Sequence, residues 1–352
     1  MADRRGGDAQ DAGLHRRPGE RLRQPLPAAA RRGLPAAGEA RLVIAWFRSR
    51  GRAPTVAPAV GCFGKLPLDR EFLRIHAHHP EVEGLDRWLQ GGLAAAHERF
   101  AGDPAGERQG LYGVWQGSHF LLPPAQPGQR LCLGHMAPSQ DSAGRRYPCA
   151  CFLLLDPRHV GVADLLPVRY RAYLAAAAEV VAAGQGATER SAWMEQVRSL
   201  EAVAGQAEVA PGVADGDRVG DLLARLLPAG ADRAGTLQLL VETARRERGG
   251  WWLALPASTD EVVAAWLLLA GRLRPVAGDL AAFWGGGRVW LAPPPLAPRS
   301  LLFLLGHPVE DDRMVDATIA ATVATAARRV TAGLAEAVAK ATVADLSRWR
   351  WQ

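Results

Sequence analysis

Leu85, Trp88, Leu89, Gly92, Leu93, Ala96 and Phe100 recur at spacings of three and four. That period lays an apolar stripe along one face of a helix, so an amphipathic helix is predicted there. Ahead of it, Ala59–Gly64 is apolar and bounded by glycine, as a short strand would be. Leu66-Pro67 breaks it, because proline disfavours helix at the preceding residue. Asp69 is placed to cap a helix running to about His79, where Pro80 stops it. Three extended runs follow, at residues 112–122, 131–137 and 149–155. Turns such as Pro123-Pro124 and Ser142-Ala143-Gly144 separate them, and such short connections predict an antiparallel meander. Residues 165–183, 190–203, 218–228 and 232–247 read as helical, with a Gly/Ala/Pro linker near 204–217. A strand is predicted at 251–255, a helix at 261–274, and short strands at 288–291 and 301–305 around Pro293-Pro294-Pro295. From Asp311 to about Trp349 the pattern is one long helix. Its seam of Val315, Ile319, Val323, Val330, Leu334 and Val338 is read as packing on the parent domain rather than on a second copy.

Composition narrows the class. The chain has 352 residues, 48% hydrophobic and 22% charged, which suits a globular protein of one large or two modest domains. Fibrous and wholly disordered classes are excluded, and four Cys at this length exclude a disulfide scaffold. No window of 18 apolar residues marks a membrane span. The opening MADRRGGDAQDAG has no apolar region behind its charges and does not read as a signal peptide. A soluble, cytoplasmic protein is expected.

The net charge of +6 is unevenly placed. Residues 1–55 hold twelve Arg against five acids, which leaves 30 basic and 31 acidic residues in the remainder. The basic excess therefore belongs to the tail, and the near-neutral body lacks the basic face that nucleic-acid binding needs. The chain has 40 Arg, two Lys (Lys65 and Lys340) and no Asn, a bias that reflects coding composition. The expected layout is a disordered basic tail at 1–55, an N-terminal domain at 56–205, a mixed helical and strand extension at 206–310, and the long helix at 311–352.

Several motifs fall short of a chemistry. Gly61-Cys62-Phe63-Gly64-Lys65-Leu66 has two residues between its glycines where a phosphate loop needs four, and Leu follows the Lys where Ser or Thr is required. A tight turn is the better reading, although a Lys in so Arg-biased a chain hints that Arg would not serve there. His76-Ala77-His78-His79 resembles a metal tract, but on a helix His78 points away from the other two. Cys149-Ala150-Cys151 lacks the spacing of redox or zinc sites; on a strand both thiols face one side and act as small apolar groups. No Gly-x-Ser-x-Gly elbow exists. No catalytic residue, metal ligand or cofactor is expected.

Residues 138–148 (PSQDSAGRRYP) form the most unusual stretch. Ser139 and Asp141 suit local hydrogen bonds to the backbone, Gly144 supplies backbone freedom, and Arg145 and Arg146 supply forked donors. One reading is a self-stabilised loop in which Arg145 ties down Asp141. The other is a rigid recognition surface. The two are compatible.

These residues also carry a resemblance. Gly61-Cys62-Phe63-Gly64-Lys65-Leu66-Pro67, then Phe72, then Trp88-Leu89-Gln90-x-Gly92-Leu93, resemble the opening of the TagF/ImpM family of type VI secretion-associated proteins. Pro138-Ser139-x-Asp141-x-x-Gly144-Arg145-x-Tyr147-Pro148 resembles the family's second signature. Trp251-Trp252 resembles a later paired-aromatic strand. Where the family has Gly-Asp-Phe, this chain has Arg70-Glu71-Phe72. The match is good over about 59–155 and loose over 156–255. It implies an α/β (α+β) fold with a central, mostly antiparallel sheet flanked by helices, similar to longin or profilin-like domains. It also implies a cytoplasmic, non-enzymatic, post-translational repressor of type VI secretion that acts through protein binding. The implied partner is an Fha-type forkhead-associated scaffold, with no nucleic acid and no membrane insertion. The signature-loop or partner-binding residues are then Gly64, Lys65, Leu66, Pro67, Ser139, Asp141, Gly144 and Arg145. The rival is a phosphate- or nucleotide-binding enzyme domain that uses Lys65, Ser139, Asp141 and Arg145.

Overall fold

Every one of the seven residues of Cys149–Leu155 is buried, so this strand needs a neighbour on each edge and cover on both faces. The computed structural model describes residues 59–101, 112–160, 163–207, 221, 224, 227, 232–244, 252–257, 259–274, 279–306 and 314–316. Its strands are β1 (Ala59–Gly64), β2 (Leu73–Ile75), β3 (Ser118–Leu122), β4 (Leu131–Ala137), β5 (Cys149–Leu155), β6 (Trp252–Pro256), β7 (Ala281–Gly285), β8 (Arg288–Ala292) and β9 (Met314–Asp316). The longer helices are α1 (Pro80–Phe100), α2 (Arg171–Gly186), α3 (Arg190–Ala204), α4 (Arg233–Ala244) and α5 (Asp260–Leu273). The strands form one sheet in the order β2-β1-β5-β4-β3-β7-β8-β6-β9. All neighbours are antiparallel except β6 and β9. A mixed α/β fold on a mostly antiparallel sheet is therefore established, and β3, β4 and β5 form the expected meander.

Alternate residues of β5 feed two cores. Cys149, Cys151, Leu153 and Leu155 join the core under α2 to α5. Ala150, Phe152 and Leu154 join the core under α1. The second core holds a stack of rings: Trp88 lies 5.0 Å from Phe283 and 6.3 Å from Trp252, and Trp252 lies 5.6 Å from Phe283. Trp88 also donates from Nε1 to Ala297 O at 3.1 Å and Ser300 Oγ at 3.2 Å. Helix, sheet and the turn at 297–304 are thus closed around one aromatic centre, and the strands at 252–292 extend the same sheet as those at 59–155. Trp88 and Trp115 are core residues, at 5% and 7% exposed. All four cysteines are free and buried.

Several local readings need correction. Residues 69–79 are not a helix: Leu73–Ile75 pairs with β1. Pro80 does not stop a helix but begins α1, because a ring without an N–H costs nothing at the first helical position. Only Ser118–Leu122 of the run 112–122 is a strand. Leu301–Leu304 is helical rather than extended; a short apolar run has no period to tell the two apart. The strand Ala281–Gly285 was not anticipated. Within the long helix expected at 311–349, Met314–Asp316 is a strand parallel to β6, and the rest lies outside the described residues. So do the tail at 1–55 and most of the helix expected at 218–228.

Candidate functional site

Asp141 organises the loop between β4 and β5. Its Oδ1 accepts the backbone N–H of Ala143 at 3.0 Å and of Arg145 at 2.8 Å. Its own backbone closes the turn, with Asp141 N donating to Arg145 O at 3.0 Å and Gly144 N to Asp141 O at 2.9 Å. This is a short polar side chain substituting for a backbone partner in a turn. Gly144 completes it at φ 77°, the left-handed region that glycine enters without cost. The reading of a self-stabilised loop is therefore correct: Arg145 Nε lies 2.6 Å from Asp141 Oδ2.

A second cation reaches the same oxygen from the other corner. Lys65 Nζ stands 2.7 Å from Asp141 Oδ2, with the Asp141 side chain fully enclosed and that of Lys65 14% exposed. Burial opposes ionisation of Asp141. The hydrogen bonds from Lys65, from the Arg145 N–H and guanidinium and from the Ala143 N–H outweigh it and hold the carboxyl well below the usual carboxylate range. The carboxylate is thus satisfied by four donors, and both cations are spent on it.

The two corners are stitched together around this pair. Ser139 Oγ donates to Lys65 O and receives Gln185 Nε2 from α2 at 3.0 Å. Arg145 Nη2 donates to Arg70 O. Ser142 N donates to Asp69 O at 3.0 Å, and Arg190 from α3 pairs with Asp69 Oδ2 at 3.0 Å. Tyr112 OH donates to Ser139 O at 3.1 Å. Tyr147 OH donates to Asp86 Oδ1 on α1. Phe72 packs its ring 5.1 Å from Tyr147 and 6.3 Å from Phe63, and the Arg74 guanidinium lies 5.0 Å from its centroid. Gly64 permits the contact at φ 128°, since a Cβ there would stand 2.1 Å from Pro148 O.

All eight sequence-derived site residues come together here, but in two layers. Ser139, Asp141 and Leu66 are buried at 5%, 2% and 0%, and Leu66 lies under α2 beside Gly184. Gln140 and residues 142–146 are exposed, as are Arg70 and Glu71. The inner layer holds the geometry and the outer layer presents it. Gln185, Arg190, Tyr112 and Asp86 were not anticipated. Each joins the site across a long sequence separation and carries no local pattern to announce it.

The histidine tract is not a helical face. His76 has φ 51° and its Nδ1 lies 2.8 Å from Val60 O. Among the described residues no three His, Cys, Asp or Glu side chains form a group that could hold a metal, and no helix is long and apolar enough to cross a membrane.

Residues 61–201 match the family described as the TagF N-terminal domain, type VI secretion system-associated. The fold is similar to that in the crystal structure of PA0076 from Pseudomonas aeruginosa PAO1, with 19% identity and a TM-score of 0.44 over 71% of this chain and 96% of that chain. No curated protein matches the chain.

Proposed function

Residues 61–201 match the TagF N-terminal domain family of type VI secretion-associated proteins, and we propose that the chain is a cytoplasmic, non-enzymatic regulator that represses secretion by binding a protein of the apparatus. The partner proposed is an Fha-type forkhead-associated scaffold, which is what the family resemblance implies. The supporting observation is the two-layered corner. A recognition surface needs polar groups held in place before the partner arrives, so that little ordering entropy is lost on binding. The enclosed Lys65–Asp141 pair fixes the loop from below, and Arg145, with a side chain 60% exposed, stands beside exposed Arg146, Arg70 and Glu71. Arginine at such a position suits a directional protein contact.

The phosphate-binding reading is the weaker one. Lys65 and Arg145 already share one carboxylate oxygen, and Ser139 Oγ is engaged by Lys65 O and Gln185. A phosphate would have to displace Asp141 from both cations.

The test replaces the outer layer and leaves the inner one. Arg70→Ala with Arg146→Ala keeps both cations on Asp141 and both backbone bonds to Oδ1, so the melting temperature is expected to stay near that of the wild type. Capture of the scaffold is expected to weaken by about tenfold or more, with secretion derepressed. Unchanged capture and unchanged secretion control from a folded variant would remove this surface from the account.

A further inference from the structure

His119 on β3 and His135 on β4 are direct cross-strand partners. Their Nδ1 atoms are 3.2 Å apart, with ring centroids at 4.7 Å and planes at 63°. They lie on the face of the sheet covered by α2 to α5, in a row that runs from Cys151 through His135 and His119 to Trp284. Trp284 walls one side, 5.5 Å from the His119 ring, and is itself fixed by donating from Nε1 to Asp260 Oδ1 at 3.0 Å. Gly117 leaves the room beside the other ring, because a Cβ there would stand 3.1 Å from His135 Nε2. Both rings are half-buried. Burial pushes His119 down to about 4. Burial, and then the neighbouring His119, push His135 down to about 3. Both imidazoles are therefore neutral at pH 7, the state a metal requires of its ligands.

The 3.2 Å separation has a second meaning besides one hydrogen bond between the rings. Two imidazole nitrogens at that distance, each about 2.0–2.1 Å from a shared ion, subtend an angle of roughly 100° at it, close to tetrahedral. We propose that His119 and His135 form a two-imidazole chelate, through both Nδ1 atoms, for a borderline divalent transition-metal ion such as zinc, nickel or copper. Binding exchanges the single bond between the rings for two metal–nitrogen bonds, and the proton that one Nδ1 carried moves to the Nε2 of the same ring, so both imidazoles stay neutral. Neutral imidazoles without a carboxylate discriminate against magnesium and calcium, which take oxygen ligands. Since no third His, Cys, Asp or Glu completes the set among the described residues, the remaining positions fall to water or to a donor from another molecule. His135 lies two residues before the end of β4, so an ion held here clamps the strand that leads into the 138–148 loop.

The experiment titrates the full chain with copper, nickel, zinc and magnesium chlorides at pH 7, read by calorimetry and melting temperature. One equivalent of each transition metal is expected, copper tightest by the usual order, with no heat from magnesium. Changing His119→Gln or His135→Gln is expected to weaken binding by more than about tenfold, the lower end of what loss of even an outer-shell partner costs. Changing His76, His78 and His79 together to Gln is expected to leave it intact. Should the two single variants fold poorly, nitrogen NMR of the wild-type histidines decides instead: zinc must shift Nδ1 of His119 and His135. The proposal is overturned by an intact chain that binds no transition metal, by binding that survives both single variants, or by binding lost in the triple variant.

Discussion

Lys65 Nζ and Asp141 Oδ2 meet at 2.7 Å across 76 residues of sequence and tie the two corners through a fully enclosed carboxylate. The ammonium reaches it as a compact point charge on a flexible stem. A guanidinium is planar and carries its donors in a rigid fork. The space is already shared with Arg145 Nε, 2.6 Å from the same oxygen. Lys65→Arg is therefore expected to lower the melting temperature clearly, despite keeping the charge. Thermal unfolding of the variant beside the wild type checks this. Equal melting temperatures for the two chains would show that any cation serves at position 65.

How far this arrangement was legible depends on the range of the interactions. The Asp141–Arg145 turn is local, and its residue types announced it. The strands Leu131–Ala137 and Cys149–Leu155 were read to the residue, because they are apolar runs cut off by Pro, Gly and polar residues at both ends. The Lys65–Asp141 meeting spans 76 residues of sequence and has no local pattern to announce it. Gln185 and Arg190 were invisible, because α2 and α3 bring them in from 46 and 121 residues away. The corner at 69–79 was misread for a different reason. Proline punctuates both ends of helices, and at Pro80 it marks a start rather than a stop. Leu301–Leu304 was misread because burial on all sides erases the period that separates helix from strand.

Gly64 is the point where the two corners touch through backbone. Its φ of 128° belongs to a region that side chains rarely enter, and an added Cβ would stand 2.1 Å from Pro148 O and 2.7 Å from Cys149 Cα. Both obstacles are main chain, one of them in the central strand β5, so neither can swing aside. Backbone strain of this kind costs about 1–3 kcal/mol before any clash is counted. Gly64→Ala is expected to destabilise by roughly 3 kcal/mol or more, in the range reserved for named structural insults. Urea unfolding measures it, and a loss under about 1 kcal/mol, the ordinary cost of a point mutation, would mean that the corners are not in contact as described. Gly144→Ala is the contrast. It shares a positive φ of 77°, but nothing lies within 4 Å of its Cβ position, so only the conformational part of the cost remains.

Acid should undo the fold in two successive windows, each set by groups whose folded-state pKa lies below the unfolded value. For such a group the unfolded chain binds more protons between the two values, so stability is complete above the unfolded pKa and drains as pH falls. His119 and His135 drop from 6.5 to about 4 and about 3, so their contribution is full above about pH 7 and is lost between roughly pH 6.5 and pH 3. Asp141 is depressed from 3.8, so its contribution is intact through the upper part of that window and is lost only below about pH 4. Denaturant midpoints measured from pH 8 to pH 3 with a chelator present are expected to fall in both windows. A chain carrying His119→Gln and His135→Gln should flatten the upper window and keep the lower one. Asp141→Asn should be less stable than the wild type at pH 7, and the gap should narrow as the pH approaches 3, because protons then bind the carboxylate of the unfolded wild type, a linkage that the variant lacks. A gap that stays constant across that range would mean that Asp141 acts through shape alone. A wild-type profile flat from pH 7 to pH 5 would mean that the two imidazoles are solvated in the folded chain and carry no burial penalty.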